Sequence, residues 1–366
     1  MNITFLKLYI TEELNSSFYN SQEIGLAKAI TEVHPEHRVN IVLLSRGKSH
    51  VEEITDKVML HVVKAKGIGH HGRLELDLLK ELKTDLVHLL ADNMMYAPNV
   101  IRYCKKNGIK YHLYIGTLFT DNTRWYRKAF DRLMMVRNVA AYRKSPMYVK
   151  TPAAQIQCRE LGIDAKLAPV GLNNEDVILS EKSMDEIRAE HGIPLGKKVL
   201  LFVGRLESYK HPLDAVEVLK KLREREDYHL VVVGRGSLED ILKTKLSGYD
   251  LSESVTLLPK VPNTEMKHLY KACDYFVNFN PDEIYGMSIL EAMAHNCPVF
   301  AIKAPGPEFL LKDGETGFIC QSLDEMSERI RKCTSDAELS QIKSNARKHV
   351  ISNLTWDKLV SKFEDF

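Results

Sequence analysis

Cysteine is sparse and unpaired in this chain. The six cysteines, Cys104, Cys158, Cys273, Cys297, Cys320 and Cys333, are scattered without a C-x-x-C spacing. That pattern excludes a cysteine-built zinc site, and the mostly apolar neighbours suit free core thiols in a reducing compartment. There is no uninterrupted apolar run of roughly 18 residues, so no segment reads as a membrane span. Met1–Leu6 passes straight into a strand-like pattern without a basic start or a long apolar stretch. The expectation is a cytoplasmic protein without a signal peptide. The formal net charge is only +2 at a pI near 8.1, which excludes a general pull on nucleic acid. Repeats and low-complexity tracts are lacking too. Acidic metal motifs are also absent: there is no D-x-D, and Asp121 and Asp131 lack a spacing that would hold Mg²⁺. His70-His71 is an adjacent pair with no acidic cluster to complete a ligand set. No metal or other cofactor is expected.

What is present fits a two-domain α/β protein. A chain of 366 residues outgrows one ordinary core, and 44% apolar with 27% charged residues is average for a globular chain. Short apolar runs alternate with amphipathic helical stretches, the pattern of parallel α/β domains. In the first half the runs Ile3–Tyr9, Val39–Leu44, Val58–Val63, Leu86–Leu90, Tyr111–Ile115, Met147–Lys150 and Lys166–Pro169 read as strands. Gln22–Val33 and Arg73–Leu82 read as helices. The charged, irregular Asn173–Glu181, a short helix over Met184–His191 and then Gly192-Ile193-Pro194-Leu195-Gly196 together read as a linker. A second strand–helix series then runs from Val199 to Ile302, with helical pattern at Asp324–Cys333 and Asp336–Ser352. The expected division is 1–172, a linker at 173–196, 197–350, and a helical tail at 351–366. Two Rossmann-like domains facing across a cleft are the expected fold.

Three places carry chemistry. In Glu283-Ile284-Tyr285-Gly286-Met287-Ser288-Ile289-Leu290-Glu291, two glutamates stand eight apart around a glycine, with a helix opening just after it. A helix start offers unpaired N–H groups and positive dipole charge, which suit a phosphate, and Gly286 permits a close approach. Glu283 would lie in the loop before the helix and Glu291 on its second turn, one toward a sugar and one toward a ribose. In Phe202-Val203-Gly204-Arg205-Leu206-Glu207-Ser208-Tyr209-Lys210, a strand ends at Gly204 and two cations follow at its carboxyl edge, where open α/β sheets bind ligands. Arg205 and Lys210 there suit a diphosphate. Val231-Val232-Val233-Gly234-Arg235-Gly236 ends in a Gly-x-Gly turn but lacks the third glycine of a dinucleotide fingerprint, which argues against an NAD-dependent dehydrogenase.

Taken in order, VGRLESYK, VVVGRGSLED, VPNTEMKHLYKACDYFV, NPDEIYGMSILEAMAHNCPVF and DGETGFI resemble the donor-binding half of retaining glycosyltransferases of family four (glycosyl transferases group 1). They cover about 150 residues. The resemblance implies the GT-B fold of two facing Rossmann-like domains. It also implies transfer of a sugar, with retention, from a nucleotide-diphospho-sugar. A UDP-sugar is placed ahead of a GDP-sugar. The acceptor would be a glycan, a lipid-linked or a small-molecule hydroxyl, in polysaccharide or glycoconjugate synthesis. By the same resemblance Gly204, Arg205 and Lys210 grip the diphosphate, and Lys260 and Val261 border the base. Glu283 meets the sugar, Tyr285, Gly286, Met287 and Ser288 cap the phosphates, and Glu291 holds the ribose. Metal is replaced by these cations and the helix end. A nucleotide-sugar-binding homologue without activity, or a GT-B enzyme acting on sugar phosphates, are the alternatives.

The first half matches more loosely. Leu167–Asn173 is similar to the family's segment closing the first domain. Tyr19–Gly25 falls where the family has a glycine-rich loop, and Asn20 there, with Asp92 and Asn93 after the Leu86–Leu90 strand, are the acceptor-side candidates. Gly116-Thr117 stands where relatives often show a histidine. Between Arg102 and Lys150 twelve Lys or Arg residues face only Asp121 and Asp131. Such a block suits an anionic acceptor or an anionic membrane face, and makes peripheral attachment an expectation.

Overall fold

The computed structural model describes residues 1–11, 22–118, 125–223, 227–333 and 336–366. They divide into two α/β units. The first spans most of residues 1–173 together with Trp356–Phe366, and the second spans 174–355.

In the first unit the chain order is β1 (Asn2–Thr11), α1 (Gln22–Val33), β2 (Arg38–Ser45), β3 (His50–Thr55), β4 (Val58–Lys64), β5 (Lys66–Ile68) and β6 (His71–Arg73). There follow α2 (Leu78–Glu81), β7 (Leu86–Leu90), α3 (Ala97–Asn107), β8 (Lys110–Ile115), α4 (Trp125–Tyr142), β9 (Met147–Val149), α5 (Pro152–Glu160) and β10 (Lys166–Leu167). The sheet runs β10-β9-β8-β7-β1-β2-β4-β3, parallel throughout except for the β3–β4 pair. Strands such as Leu86–Leu90 are buried along their whole length, which is why they read as unbroken apolar runs.

The segment expected as a helix over Arg73–Leu82 is mostly not helical. His71–Arg73 pairs antiparallel with Lys66–Ile68, and only Leu78–Glu81 turns into helix. The reason lies at Gly72, where a Cβ would meet the Leu8 carbonyl at 2.8 Å. The hairpin backbone therefore packs directly on β1, a contact invisible to helical periodicity.

In the second unit α6 (Met184–Glu190), β11 (Lys198–Val203), α7 (Pro212–Arg223), β12 (Tyr228–Val233), α8 (Glu239–Gly248), β13 (Val255–Leu258) and α9 (Asn263–Ala272) lead to β14 (Tyr275–Asn278). Then come α10 (Met287–Ala294), β15 (Val299–Ile302), α11 (Pro305–Leu310), β16 (Phe318–Cys320), α12 (Leu323–Lys332) and α13 (Asp336–Asn353). The sheet is β13-β12-β11-β14-β15-β16 and wholly parallel. Counted from its own first strand this is the 3-2-1-4-5-6 order of a Rossmann fold.

The stretch read from sequence as a linker is built into this second unit. Ser183 and Glu186 form a capping box at the start of α6. Buried Arg188 donates to the carbonyls of Ala272 and Lys197 and pairs with Asp274 at 3.0 Å. The expected tail likewise has a definite berth. After α13, a last helix α14 (Trp356–Leu359) joins the first unit, and the Trp356 N–H donates to the Leu172 carbonyl.

Beyond α14, Phe363 and Phe366 lay their rings against His88 and His112, two buried histidines facing each other on β7 and β8. The Asp365 carboxylate accepts from His112 Nδ1 at 3.0 Å, which leaves His112 Nε2 to accept from His88 Nδ1 at 2.6 Å. Burial pushes both imidazoles below the usual histidine range, and the Asp365 carboxylate, bonded by His112, falls below its own. The unfolded chain takes up protons near pH 6.5 that the folded state refuses, so stability is full above that pH and is lost as pH falls. The loss is therefore expected to set in as pH falls from 7 towards 5, where the unfolded imidazoles charge and the buried ones do not. His88→Leu should flatten the melting-temperature profile over that range, and an unchanged profile would refute the assignment.

Candidate functional site

The site grows from the second unit's strand order. β11 and β14 are neighbours, yet β11 continues to β12 on one side and β14 to β15 on the other. With right-handed crossovers their following helices leave on opposite faces, and the two loops part above the carboxyl edge to form a crevice. Both sequence-derived clusters empty into it: Gly204–Lys210 follows β11, and Phe279–Gly286 follows β14.

Lys210 and Glu283 meet there. The Lys210 ammonium lies 2.6 Å from a Glu283 carboxylate oxygen, although 73 residues separate them. Glu283 is buried and its carboxylate also receives long contacts from the Asn278 and Asn280 amides at 3.5 and 3.4 Å. Buried carboxylates need such partners, because an unpaired charge there is strongly destabilising. Tyr209 lies between the two cations of its loop, 5.3 Å from the Arg205 guanidinium and 5.5 Å from the Lys210 ammonium. Arg205 itself is exposed.

The loop that carries Arg205 is seated by glycine. Gly234, with φ of 148°, has no room for a side chain: a Cβ would stand 1.9 Å from the Gly204 carbonyl oxygen. At Gly236 a Cβ would meet the Leu206 carbonyl at 2.4 Å. Ladder-like bonds knit the two loops together: Gly204 N–H to the Val233 carbonyl, Leu206 N–H to that of Arg235, and Leu238 N–H to that of Leu206. The Glu207 carboxylate accepts from the Ser237 N–H and hydroxyl at 3.0 and 2.7 Å. The Gly-x-Gly of β12 thus braces the neighbouring cation loop.

Gly286 begins α10 in the left-handed region at φ of 94°, and α10 has no side-chain cap. The first backbone bonds of the helix are from Ile289 and Leu290 to the Gly286 carbonyl, so the N–H groups of Met287 and Ser288 precede the ladder. Tyr285 is buried against Phe309. Gly306 presses its backbone on this turn, its N–H donating to the Glu283 carbonyl at 2.7 Å. Lys260 and Val261 follow β13 at the same sheet edge. Glu291 lies on the second turn of α10 and accepts from the Tyr270 hydroxyl at 2.8 Å. It keeps some accessible surface, but protein encloses it on most sides. Burial pushes its carboxyl up to about 7, against the Tyr270 bond, which acts to lower it.

On the other unit the candidates fare differently. Asn20 lies outside the described residues. Asp92 accepts from the Gly116 and Thr117 N–H groups at 2.7 and 3.3 Å and so ties two loops at the carboxyl edge. Asn93 is buried and accepts from Asn138 at 3.0 Å, which makes it an interior brace for α4. Sequence reading missed Asn278, Asn280 and Tyr270. The alternating asparagines just ahead of Glu283 are the one local signal that could have found the first two.

Residues 183–349 match the model of the family described as glycosyl transferases group 1. The alpha-monoglucosyldiacylglycerol synthase of Streptococcus pneumoniae is 24% identical over 73% of this chain and 57% of its own length. The N-acetyl-alpha-D-glucosaminyl L-malate synthase of Bacillus anthracis is 23% identical over 52% of this chain and 50% of its own. The chain thus spans about half the length of the curated relatives it matches. Anabaena HepE, solved in complex with UDP and glucose, superposes with a TM-score of 0.72 over 100% of this chain and 98% of its own, at 18% identity. That likeness shows the GT-B fold.

The glycine contacts make a paired prediction. Gly234→Ala should cost about 2–4 kcal/mol, since backbone strain and overlap combine. Gly248→Ala, where a Cβ meets nothing within 4 Å, should be neutral or stabilise α8 by up to about 1 kcal/mol. Denaturant titration of both variants measures this, and similar small effects at both would contradict the loop-bracing argument.

Proposed function

We propose that this chain, whose residues 183–349 match the glycosyl transferases group 1 model, transfers a sugar from a nucleotide-diphospho-sugar to a hydroxyl acceptor with retention of configuration. The observation that carries this reading is the convergence of Arg205, Lys210, Glu283 and the start of α10 at one crevice, with Lys210 and Glu283 in contact. Glycosyl transfer must stabilise a departing diphosphate and a cationic sugar together. Arg205, Lys210 and the N–H groups of Met287 and Ser288 answer the first demand in place of a metal ion. Glu283 answers the second by holding sugar hydroxyls beside the reacting carbon. When the diphosphate enters, the Lys210 ammonium is shared between Glu283 and phosphate oxygens, so the buried carboxylate is never left unpaired.

The bond from the sugar's anomeric carbon to the diphosphate oxygen breaks and its electron pair leaves with the nucleotide. The acceptor oxygen forms the new bond from the same face and gives its proton to the departing phosphate. Lys260 and Val261 border the base, Tyr285 and Gly286 shape the phosphate turn with Gly204, and Glu291 takes the ribose. UDP-sugars are the preferred donors, with glycan, lipid-linked or small-molecule hydroxyls as acceptors. A role in polysaccharide or glycoconjugate synthesis follows. The names of the diacylglycerol and malate relatives support a hydroxyl acceptor of either kind.

A panel of UDP-, GDP-, ADP- and dTDP-sugars, read by thermal shift and slow hydrolysis, tests the donor. One should stabilise the protein and be cleaved, with chelator making no difference. Stabilisation by none would turn the reading toward a sugar-phosphate enzyme. Arg205→Ala and Lys210→Ala should each lower turnover by about a hundredfold or more, and near-normal turnover in both would sink the phosphate grip.

Glu291 adds a pH signature. With its carboxyl raised to about 7, it is largely protonated at pH 6 and a hydroxyl-accepting carboxylate at pH 8. Nucleotide affinity should therefore rise several-fold across that interval. Glu291→Gln should abolish the rise in calorimetric titrations, and matching profiles for both proteins would remove Glu291 from the ribose.

A further inference from the structure

Helix α4 has the wrong outer surface for a helix facing water. Its inner face buries Met134, Asn138, Val139 and Tyr142. The opposite face should then be polar. Instead Leu133 is 72% exposed and Val136 is 68% exposed, flanked at helical spacing by exposed Ala129 and Ala140. Exposed Arg132 and Arg137 border this stripe on its two sides. Arg137 donates to the Met95 carbonyl and to the Asn138 side chain, two neutral acceptors that orient the guanidinium. By sequence the helix holds Arg127, Lys128, Arg132 and Arg137 against one acid, Asp131.

The apolar surface continues beyond this stripe, by way of Phe130 on the same helix. Phe130, 45% exposed, stands 6.3 Å from the ring of His71; His71 adjoins His70, and His70 stacks on exposed Tyr9 at 5.4 Å. The β5–β6 hairpin carries Ile68, 68% exposed, near its tip, and exposed Arg46 donates to the Gly69 carbonyl beside it. Three separate segments of one unit therefore present large apolar side chains with arginines among them. No described helix is long and apolar enough to cross a membrane.

An exposed apolar stripe is costly in water, and arginines around it discourage a neutral or cationic partner. Both features are satisfied together by the headgroup–acyl boundary of an anionic bilayer, where apolar side chains enter and guanidinium groups meet phosphates. We propose that the outer face of α4, Phe130 included, with the Ile68 hairpin beside it, docks this protein on an anionic phospholipid surface. Tyr9 stands near the carboxyl end of β1, and Asp92 and Gly116 stand at the carboxyl ends of β7 and β8. The docking face thus borders the sheet edge at which α/β units receive ligands, which suits an acceptor delivered from the membrane.

Sedimentation with phosphatidylcholine vesicles, and with vesicles enriched in phosphatidylglycerol, tests the proposal. The full chain should bind the anionic vesicles and release them at high salt. Leu133→Glu combined with Val136→Glu, and separately Arg132→Glu, should each weaken binding about tenfold. The melting temperature and the nucleotide-sugar thermal shift should not change, so loss of docking is distinguishable from loss of the donor site. Equal binding to both vesicle types, or binding untouched by the variants, would overturn the proposal. A dimer in analytical ultracentrifugation that the double variant dissolves, with no vesicle binding by the parent, would overturn it in favour of a second copy of the chain.

Discussion

Lys210 and Glu283 come from loops that follow adjacent parallel strands, and their ion pair joins the two sides of the crevice. Much of the second unit is arranged to make that contact tenable. A buried carboxylate and an ammonium each carry a desolvation cost that only close pairing offsets. The asparagine amides behind Glu283 and the Tyr209 ring beside Lys210 hold each partner in place. The pair also sits beside the start of α10 at Gly286, whose uncapped N–H groups suit an anion. With Lys210 and Glu283 neutralising each other, the crevice can wait for an anionic ligand without holding two bare cations side by side.

Backbone proximity is the second constraint. Gly234, Gly236 and Gly306 each stand where a Cβ would strike a neighbouring carbonyl. Their common effect is to bring the loops after β11 and β12, and those after β14 and β15, into direct backbone contact pair by pair. That removes slack within each pair, seating the Arg205 loop on the turn after β12 and the Gly286 turn on the one after β15. Precision at this site therefore comes from missing side chains as much as from those present.

In the first unit the same economy appears where the chain returns. Gly25 lies within α1, where a Cβ would strike Asn173 at 2.3 Å and the Trp356 indole at 2.6 Å. The glycine thus admits α14 onto the helix. The aromatic and histidine cluster under Phe363 and Phe366 then fixes the returning segment by packing and by one chain of hydrogen bonds.

Local order determined most of the strands and helices, though not His50–Thr55 or Phe318–Cys320, and it marked the second unit's candidate site residues. Apolar runs buried on both faces and a glycine-opened helix are properties of adjacent residues, so they are legible in one dimension. The strand order of the first sheet, the short hairpin at Lys66–Arg73 and the berth of Trp356–Phe366 were not legible, because each depends on residues far apart in the chain. The same holds for Asn93, whose polar amide reads as a ligand contact until Asn138 is found bonded to it. The pairing of Lys210 with Glu283 and the rise of the Glu291 carboxyl are likewise tertiary facts, since burial and partners, not residue type, set them. So too with α4: its sequence shows apolar and basic residues, but only packing on one side decides which of them remain in water.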